Sequence, residues 1–366
     1  MRIKVLVISD YRSVTSSRPE AEVFIRLKKL GVDVEIMTYA GCEYDIKFKE
    51  EGIPVTYFHP EKKFDNSEIK RIRDELINGK HQILHLFNSK AIINGIRAAK
   101  NIPVKVVLYR GYAGNINWWD PTAYLKFLHS RVDKIVCNSK GVEELIQSQL
   151  FFDKRKTITI NKGHLLEWYK DIIPIELSEL GVPKGAFVVT CVANARSMKG
   201  ISYLLKAMND IPQDIPIHLM LVGRGMTTKQ NISIVKNSTN KDKIHLIGFR
   251  NDSLRIVAAS SCFVMVSIKG ESITKAVMEA MALGIAPIIT DIPGNRELVI
   301  DNESGLVVPS RNSKEITEAI LKLYNDRELC NKLGESARNR IDTRFNNNYT
   351  ATKTKEMYEE LVSTMD

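Results

Sequence analysis

The sequence predicts an α/β protein made of two doubly wound domains, each a parallel sheet with helices on both faces. Three observations predict it. Short apolar or β-branched runs alternate with helical patterns along the chain, as β-α-β units require. The alternation runs once, is interrupted by a stretch at 169–185 bearing Pro174, Gly181, Pro183 and Gly185, and then starts again. The length of 366 residues suits two domains.

In the first half, residues 3–9 form a β-branched run that reads as a strand rather than as the longer apolar region of a signal peptide. Ala21, Phe24, Ile25, Leu27 and Leu30 recur at helical spacing over 20–30, and Gly31 marks the end of that helix. A strand follows at 32–38. Ile69, Ile72, Leu76 and Ile77 put one apolar face on a helix at 67–77. Strands at 82–87, 104–109, 134–138 and 157–161, with a helix at 90–100, complete this half. In the second half, strands are expected at 187–193, 218–222, 245–247, 262–266 and 286–290. Helices are expected at 201–208, 274–283 and 313–325. The domains are placed at 1–170 and 171–345. The segment 346–366, with Tyr349, Met357, Tyr358 and Leu361 at helical spacing, is read as a last helix crossing back to the first domain. Two such domains would face each other across a cleft, with ligands outside the carboxyl edges of the strands.

Bulk properties exclude several classes. No apolar run is long enough to cross a membrane as a helix. The five cysteines, Cys42, Cys137, Cys191, Cys262 and Cys330, are scattered and never paired as C-x-x-C. That argues against a disulfide framework or zinc site and for a reducing, cytoplasmic setting. The seven histidines show no metal spacing, so no metal is expected. The net charge is +10, and residues 1–170 hold most of it, with 29 Lys and Arg against 20 Asp and Glu. Such a half-molecule suits solubility, or else contact with an anionic membrane surface, an anionic acceptor or nucleic acid. A helix at 67–77 with Lys70, Arg71 and Arg73, preceded by Lys62 and Lys63, is one candidate for such contact at the inner face of the cytoplasmic membrane. No nucleic-acid recognition motif is present, so no nucleic acid is expected as a partner.

The chemistry concentrates in the second half. The stretch Gly270-Glu271-Ser272-Ile273-Thr274-Lys275 leads from a strand into a helix that carries Glu279. Free N–H groups and the positive end of the helix dipole make its start a seat for a diphosphate. Two carboxylates eight positions apart can bind two hydroxyl-bearing parts of one ligand. A second loop, Asn194-Ala195-Arg196-Ser197-Met198-Lys199-Gly200, presents two cations past a strand end, where they can neutralise phosphates. A third, Gly223-Arg224-Gly225, reads as a tight turn and lacks the third glycine of a dinucleotide fingerprint.

Taken in order with Ile247-Gly248-Phe249, Pro287-Ile288-Ile289-Thr290-Asp291, Glu297-Leu298-Val299 and Ser304-Gly305-Leu306-Val307-Val308-Pro309, these segments resemble the donor domain of retaining glycosyltransferases of family 4, of the surface-polysaccharide type. The segment 131–139 resembles, more loosely, the family's last strand before the interdomain connection. The resemblance implies the GT-B fold, with its two Rossmann-like domains. It implies glycosyl transfer from a nucleotide-sugar donor to a hydroxyl of a saccharide or lipid-linked acceptor, with retention and with no cofactor or bound metal. It would give Arg196 and Lys199 the donor diphosphate and Glu271 the transferred sugar, making these three the catalytic set. Ser272, Ile273, Thr274 and Lys275 would supply backbone amides, Glu279 would bind the ribose, and Gly248, Phe249 and Arg250 would line the base pocket beside Gly223. The acceptor side is expected to use Arg12 and Ser16 from the first βα loop at 9–19, and Arg110, Gly111, Tyr112 and Trp118 after the strand at 104–109. Ser272 and Thr274 stand where many members have glycine, and Arg110-Gly111-Tyr112 stands where the family often shows a histidine. Two rival readings are a GT-B sugar-nucleotide epimerase or hydrolase and a non-enzymatic nucleotide-sugar-binding protein.

Overall fold

A computed structural model describes residues 2–112, 114–151 and 153–365. The chain forms two compact units, one of residues 1–163 with 345–366 and one of residues 164–344. The first division falls between Gly163 and His164, ahead of the expected 170/171, and Phe345 joins the first unit rather than the second.

The first unit opens with β1 (Lys4–Ile8), α1 (Val14–Lys29), β2 (Asp33–Thr38), α2 (Glu43–Glu50), β3 (Val55–Tyr57) and α3 (Asn66–Gly79). It continues with β4 (Ile83–Leu86), α4 (Ser89–Ala98), β5 (Lys105–Arg110), β6 (Lys134–Cys137), α5 (Lys140–Gln149) and β7 (Thr157–Thr159). The strand order is β3-β2-β1-β4-β5-β6-β7, with every pairing parallel. The order reverses between β1 and β4, which defines a switch point at their carboxyl ends.

The second unit runs β8 (Phe187–Val192), α6 (Ile201–Asn209), β9 (Ile217–Val222), α7 (Lys229–Lys236), β10 (Ile244–Gly248), α8 (Ser253–Ala258) and β11 (Cys262–Met265). Then come α9 (Lys275–Ala282), β12 (Ala286–Thr290), α10 (Pro293–Arg296), β13 (Leu306–Val308), α11 (Ser313–Asn325) and α12 (Arg327–Thr343). Its parallel order is β10-β9-β8-β11-β12-β13, with the switch point between β8 and β11. Central strands covered on both faces read as unbroken apolar runs, and β9 is buried at all six positions.

The last helix, α13 (Asn347–Ser363), packs into the first unit. Ala351, Met357, Tyr358 and Leu361 join one core layer with Phe24, Val34 and Phe48 of α1, β2 and α2. The opposite face of the sheet carries a second layer with Ile72, Leu76, Ile92 and Ile146 of α3, α4 and α5.

α1 begins earlier than the sequence suggests. Ser13 is its N-cap and Pro19 lies inside it, so Ser16 is helical rather than part of a loop. Pro19 lacks the N–H that would bond back one turn. Its own carbonyl accepts from Asn347 Nδ2 at 2.8 Å, which ties α13 to this turn. All five cysteines are buried and unpaired, and burial pushes the Cys137 and Cys191 thiols up to about 12. Among the described residues no helix is long and apolar enough to cross a membrane.

Candidate functional site

The second unit's switch point brings two loops together. The loop after β8 is tied to the turn after β9 where Ala195 N–H donates to Arg224 O at 2.8 Å. Gly223 in that turn has φ +139°, and a Cβ there would lie 1.9 Å from Ala193 O, so only glycine allows the approach. The loop after β11 is stitched to the same β8 loop by Ile268 N–H donating to Met198 O at 2.7 Å. Gly200, at φ +66°, would place a Cβ 2.2 Å from Val266 O. These close backbone approaches bring Lys199 onto Glu271.

Lys199 Nζ stands 2.5 Å from Glu271 Oε1, and the two side chains are only 16% and 12% exposed. Glu271 Oε1 also accepts from Ser267 Oγ at 2.9 Å. The Thr274 hydroxyl lies 3.4 Å from Glu271 Oε2 and donates to Asn295 Oδ1 at 2.8 Å. Thr290 Oγ1 in turn donates to Ser267 O at 2.5 Å. The carboxylate is thus held on both oxygens by Lys199 of the β8 loop, Ser267 after β11 and Thr274, and Thr290 and Asn295 buttress the last two in turn. A charge this far from water requires such partners.

α9 starts at Lys275, after Thr274 as N-cap. The Thr274 side chain bonds sideways to Asn295 and caps no backbone N–H; Val277 N–H donates to Thr274 O at 3.1 Å, and the Lys275 and Ala276 amides at the start of the helix have no side-chain cap. Lys275 Nζ pairs with Glu279 Oε1 at 2.6 Å, one turn along the same helix. Ser272 is buried and Ile273 half-buried beside this start.

Arg196 is exposed and has no ion pair among the described residues. It lines a cavity of about 250 Å³ with Ser197, Ser202, Thr228 and Gln230. It therefore sits beside the Lys199–Glu271 pair without joining it. Gly248 O accepts from Gly223 N–H at 2.7 Å, which joins the turns after β9 and β10. Phe249 is 58% exposed, with the Arg224 guanidinium 4.9 Å from its ring centroid. Arg250 is spent on a two-pronged pair with Asp252, at 2.7 and 2.6 Å, which holds the Asp252 carboxyl below its usual range. Sequence reasoning missed Ser267 and Asn295. Asn295 is fully buried, and its Nδ2 has no partner. Single polar residues in a core leave no periodic trace in the sequence, so no signal pointed to them.

The acceptor-side residues are engaged largely with their own loops. Arg12 pairs with Asp10 at 2.7 Å and stacks on Tyr39, with its guanidinium 3.7 Å from the ring centroid. Ser16 bonds back to Ser13 O at 3.1 Å. Arg110 is buried: Nε donates to Tyr112 O at 3.0 Å, Nη2 donates to Gly114 O, and the Tyr112 ring covers it at 3.7 Å. It folds its own loop rather than presenting a cation to an anion, and burial lowers its affinity for the proton. Gly111 lies against the Tyr109 ring, where a Cβ would approach to 3.0 Å. Trp118 is 51% exposed and packs on Phe151, next to the C-terminal end of α5.

Comparison with known proteins identifies the family and the fold. Residues 173–340 match the family described as glycosyl transferases group 1, and residues 21–166 match glycosyltransferase family 4. The chain belongs to the family 4 glycosyltransferases. Among the similar family members is an uncharacterized glycosyltransferase of Methanocaldococcus jannaschii, 27% identical over 242 residues, or 65% of this chain and 61% of that one. Another is the Escherichia coli UDP-Gal:alpha-D-GlcNAc-diphosphoundecaprenol alpha-1,3-galactosyltransferase, 25% identical over 300 residues, or 77% and 76% of the two chains. The chain thus spans less than two thirds of the archaeal relative and about three quarters of the bacterial one. A crystal structure of a glycosyltransferase from Rickettsia africae superposes with a TM-score of 0.80 at 18% identity, covering 99% of each chain. Anabaena HepE in complex with UDP and glucose gives 0.77 at 18% identity, covering 98% of this chain and 100% of that one. These likenesses establish the two-domain GT-B fold for this chain. Among the described residues no group of three His, Cys, Asp or Glu stands close enough to hold a metal ion.

Proposed function

We propose that this chain transfers a sugar, with retention, from a nucleoside-diphosphate sugar to a hydroxyl of a saccharide or lipid-linked acceptor in surface polysaccharide or lipopolysaccharide assembly. The observation that carries it is the Lys199–Glu271 pair at the switch point of β8 and β11, beside uncapped amides of α9. In this reading Glu271 accepts hydroxyls of the transferred sugar, and Lys199 meets the diphosphate as charge develops on it. Arg196 adds a second fixed cation, the amides near Ser272, Ile273, Thr274 and Lys275 add dipoles, and Glu279 exchanges Lys275 for the ribose hydroxyls. Phe249 and Gly248 border the base. The anomeric C–O bond breaks, its electron pair leaves with the nucleoside diphosphate, and the acceptor oxygen enters on the face just vacated. The acceptor proton passes to a phosphate oxygen. Cations fixed where the leaving group gains charge lower this barrier without a bound metal. The bacterial relatives whose names specify diphosphoundecaprenol-linked saccharides support a lipid-linked acceptor, used by a cytoplasmic protein that touches the membrane peripherally.

The test is a thermal-shift screen of UDP-, GDP-, ADP- and dTDP-sugars in the presence of a chelator. One base is expected to raise the midpoint, and Glu279→Ala and Arg196→Ala are expected to abolish the rise. NMR of the product of the active donor then reads the anomeric configuration. An inverted product removes the retaining mechanism. Donor hydrolysis or epimerisation without transfer to any acceptor favours the epimerase or hydrolase reading, and binding without turnover favours a nucleotide-sugar-binding protein.

A further inference from the structure

We infer that the surface of the first unit formed by Trp118, Trp119, Tyr124 and Phe151 is a docking site for an anionic lipid bilayer. These side chains are 51%, 67%, 41% and 65% exposed. Exposed rings are unremarkable singly, but Trp118, Tyr124 and Phe151 are joined to one another and the exposed Trp119 follows directly in the chain, a grouping seldom left open to water. The patch is held in place rather than loose. The Trp118 ring meets the Phe151 ring edge-on at 5.4 Å, Tyr124 Oη donates to Trp118 O at 2.8 Å, and Trp118 N–H donates to Gln149 Oε1 at 3.0 Å. Asp120 caps the short turn 121–125 through Thr122 N–H at 2.8 Å, while Ile116, Ala123 and Phe127 are buried beneath it. The loop therefore buries one set of apolar side chains and presents another.

The flanking charge selects the occupant. Lys154, Arg155 and Lys156 follow Phe151 closely, and Lys126 follows Tyr124, against Asp120 and Asp153 on the acidic side. Arg155 is paired with Asp153 and Lys156 Nζ donates to Ser130 O at 3.2 Å, while Lys126 and Lys154 stand outside any carboxylate pair among the described residues. Rings that seat at headgroup depth, next to cations facing anionic lipid, make an interfacial site. The basic helix α3 is a weaker candidate. Its Lys70, Arg71 and Arg73 are matched by Glu68, Asp74 and Glu75. Arg73 is spent on Ala98 O and Lys100 O at 3.0 and 2.6 Å, and Arg71 lies over the Phe58 ring. This inference does not depend on the donor-site reading, but it places the lipid end of the acceptor which that reading invokes.

The experiment uses the full chain with Trp168→Phe, so that Trp118 and Trp119 are the emitting tryptophans. It is mixed with phosphatidylcholine vesicles with and without phosphatidylglycerol. Phosphatidylglycerol vesicles are expected to shift the emission to the blue and sediment the protein, and added salt is expected to weaken both effects. Trp119→Ala with Phe151→Ala, and separately Lys154→Gln with Lys156→Gln, are each expected to reduce sedimentation at least tenfold. Lys70→Gln with Arg71→Gln is expected to change little. The nucleotide-sugar thermal shift reports the fold and the donor site in every variant. If that shift is absent while vesicle binding persists, the donor reading fails and this inference stands. Sedimentation that is absent in the parent, or unchanged in the aromatic variant, overturns the inference. So does a dimer, seen by light scattering, that the aromatic variant dissociates, since the patch would then belong to a second copy.

Discussion

Lys199 and Glu271 hold each other with little solvent around either, so neither can be removed without exposing the other's charge to a poor environment. Lys199→Met leaves Glu271 with only the Ser267 and Thr274 hydroxyls. Breaking a pair of this kind costs roughly 3 kcal/mol or more when both groups are well buried, and about half that is expected here because each keeps some water. Loss of a cation aimed at the leaving group is expected to lower kcat by about 100-fold or more. Steady-state kinetics together with a melt separate the two effects, and Lys199→Arg is expected to recover stability better than rate. A second residue-scale prediction concerns His85 in the first unit. Burial pushes it down to about 3, and its Nδ1 meets the Tyr358 hydroxyl at 2.6 Å. In the unfolded chain it titrates near about 6.5. Between those values the unfolded state binds more protons, so stability is full above the upper value and falls as pH falls through the window. His85→Phe is expected to lower the midpoint at neutral pH, because Tyr358 loses its partner, yet to flatten the decline from pH 7 towards pH 4. A parallel decline in both proteins would show that His85 does not drive it.

At the scale of elements, the site depends on two loops being pressed together. Gly200 is where the pressing occurs, with a left-handed φ of +66° and Val266 O too close for any side chain. Gly200→Ala carries both the strain of that φ and the clash, so a loss of about 2 kcal/mol or more is expected. The nucleotide-dependent thermal shift should disappear with it, since Lys199 and Glu271 ride on the separated loops. Retention of the full shift would mean that the β8 loop adapts and that the donor does not need this register. The donor loops were also the part of the site most legible in the sequence, and the reason is physical. Each is a short contiguous string at the end of a buried apolar strand, so Arg196, Lys199, Glu271 and Glu279 declare themselves by position. Ser267 and Asn295 are isolated polar residues inside apolar surroundings, and nothing local distinguishes them. The acceptor side is legible in a different way. Arg110 has the sequence position of a ligand-facing cation, but its loop turns back and consumes the guanidinium. The start of α1 was hidden because Pro19 reads as a helix boundary, whereas here the turn before it is helical and α13 takes up the proline carbonyl. Short elements such as α2 and β3 offer too few residues for a period to emerge.

For the whole molecule, the chain order and the folding units disagree, because α13 follows the second unit in sequence and belongs to the first in space. The junction is closely fitted. Gly163 N–H donates to Thr350 Oγ1 at 3.0 Å, that hydroxyl lies 2.7 Å from Asn161 O, and a Cβ on Gly163 would collide with the Asn346 carbonyl. Beneath it Lys162 pairs with Glu20 at 2.9 Å, well away from solvent. Met357, Tyr358 and Leu361 are buried in the layer shared with α1. Burying each large apolar side chain contributes about 1.5–3 kcal/mol, so three of them supply on the order of 5–9 kcal/mol. That matches the whole stability of a typical domain, about 5–15 kcal/mol. Deleting residues 347–366 is therefore expected to remove the cooperative unfolding transition of the first unit. The Glu271 and Glu279 machinery lies wholly within the second unit, so the truncated protein is expected to keep a separate transition that a nucleotide sugar still raises. Calorimetry with and without the donor distinguishes the outcomes. A single transition that vanishes entirely would make the two units one cooperative body, and a first-unit transition that survives unchanged would show that α13 only caps a layer already stable without it.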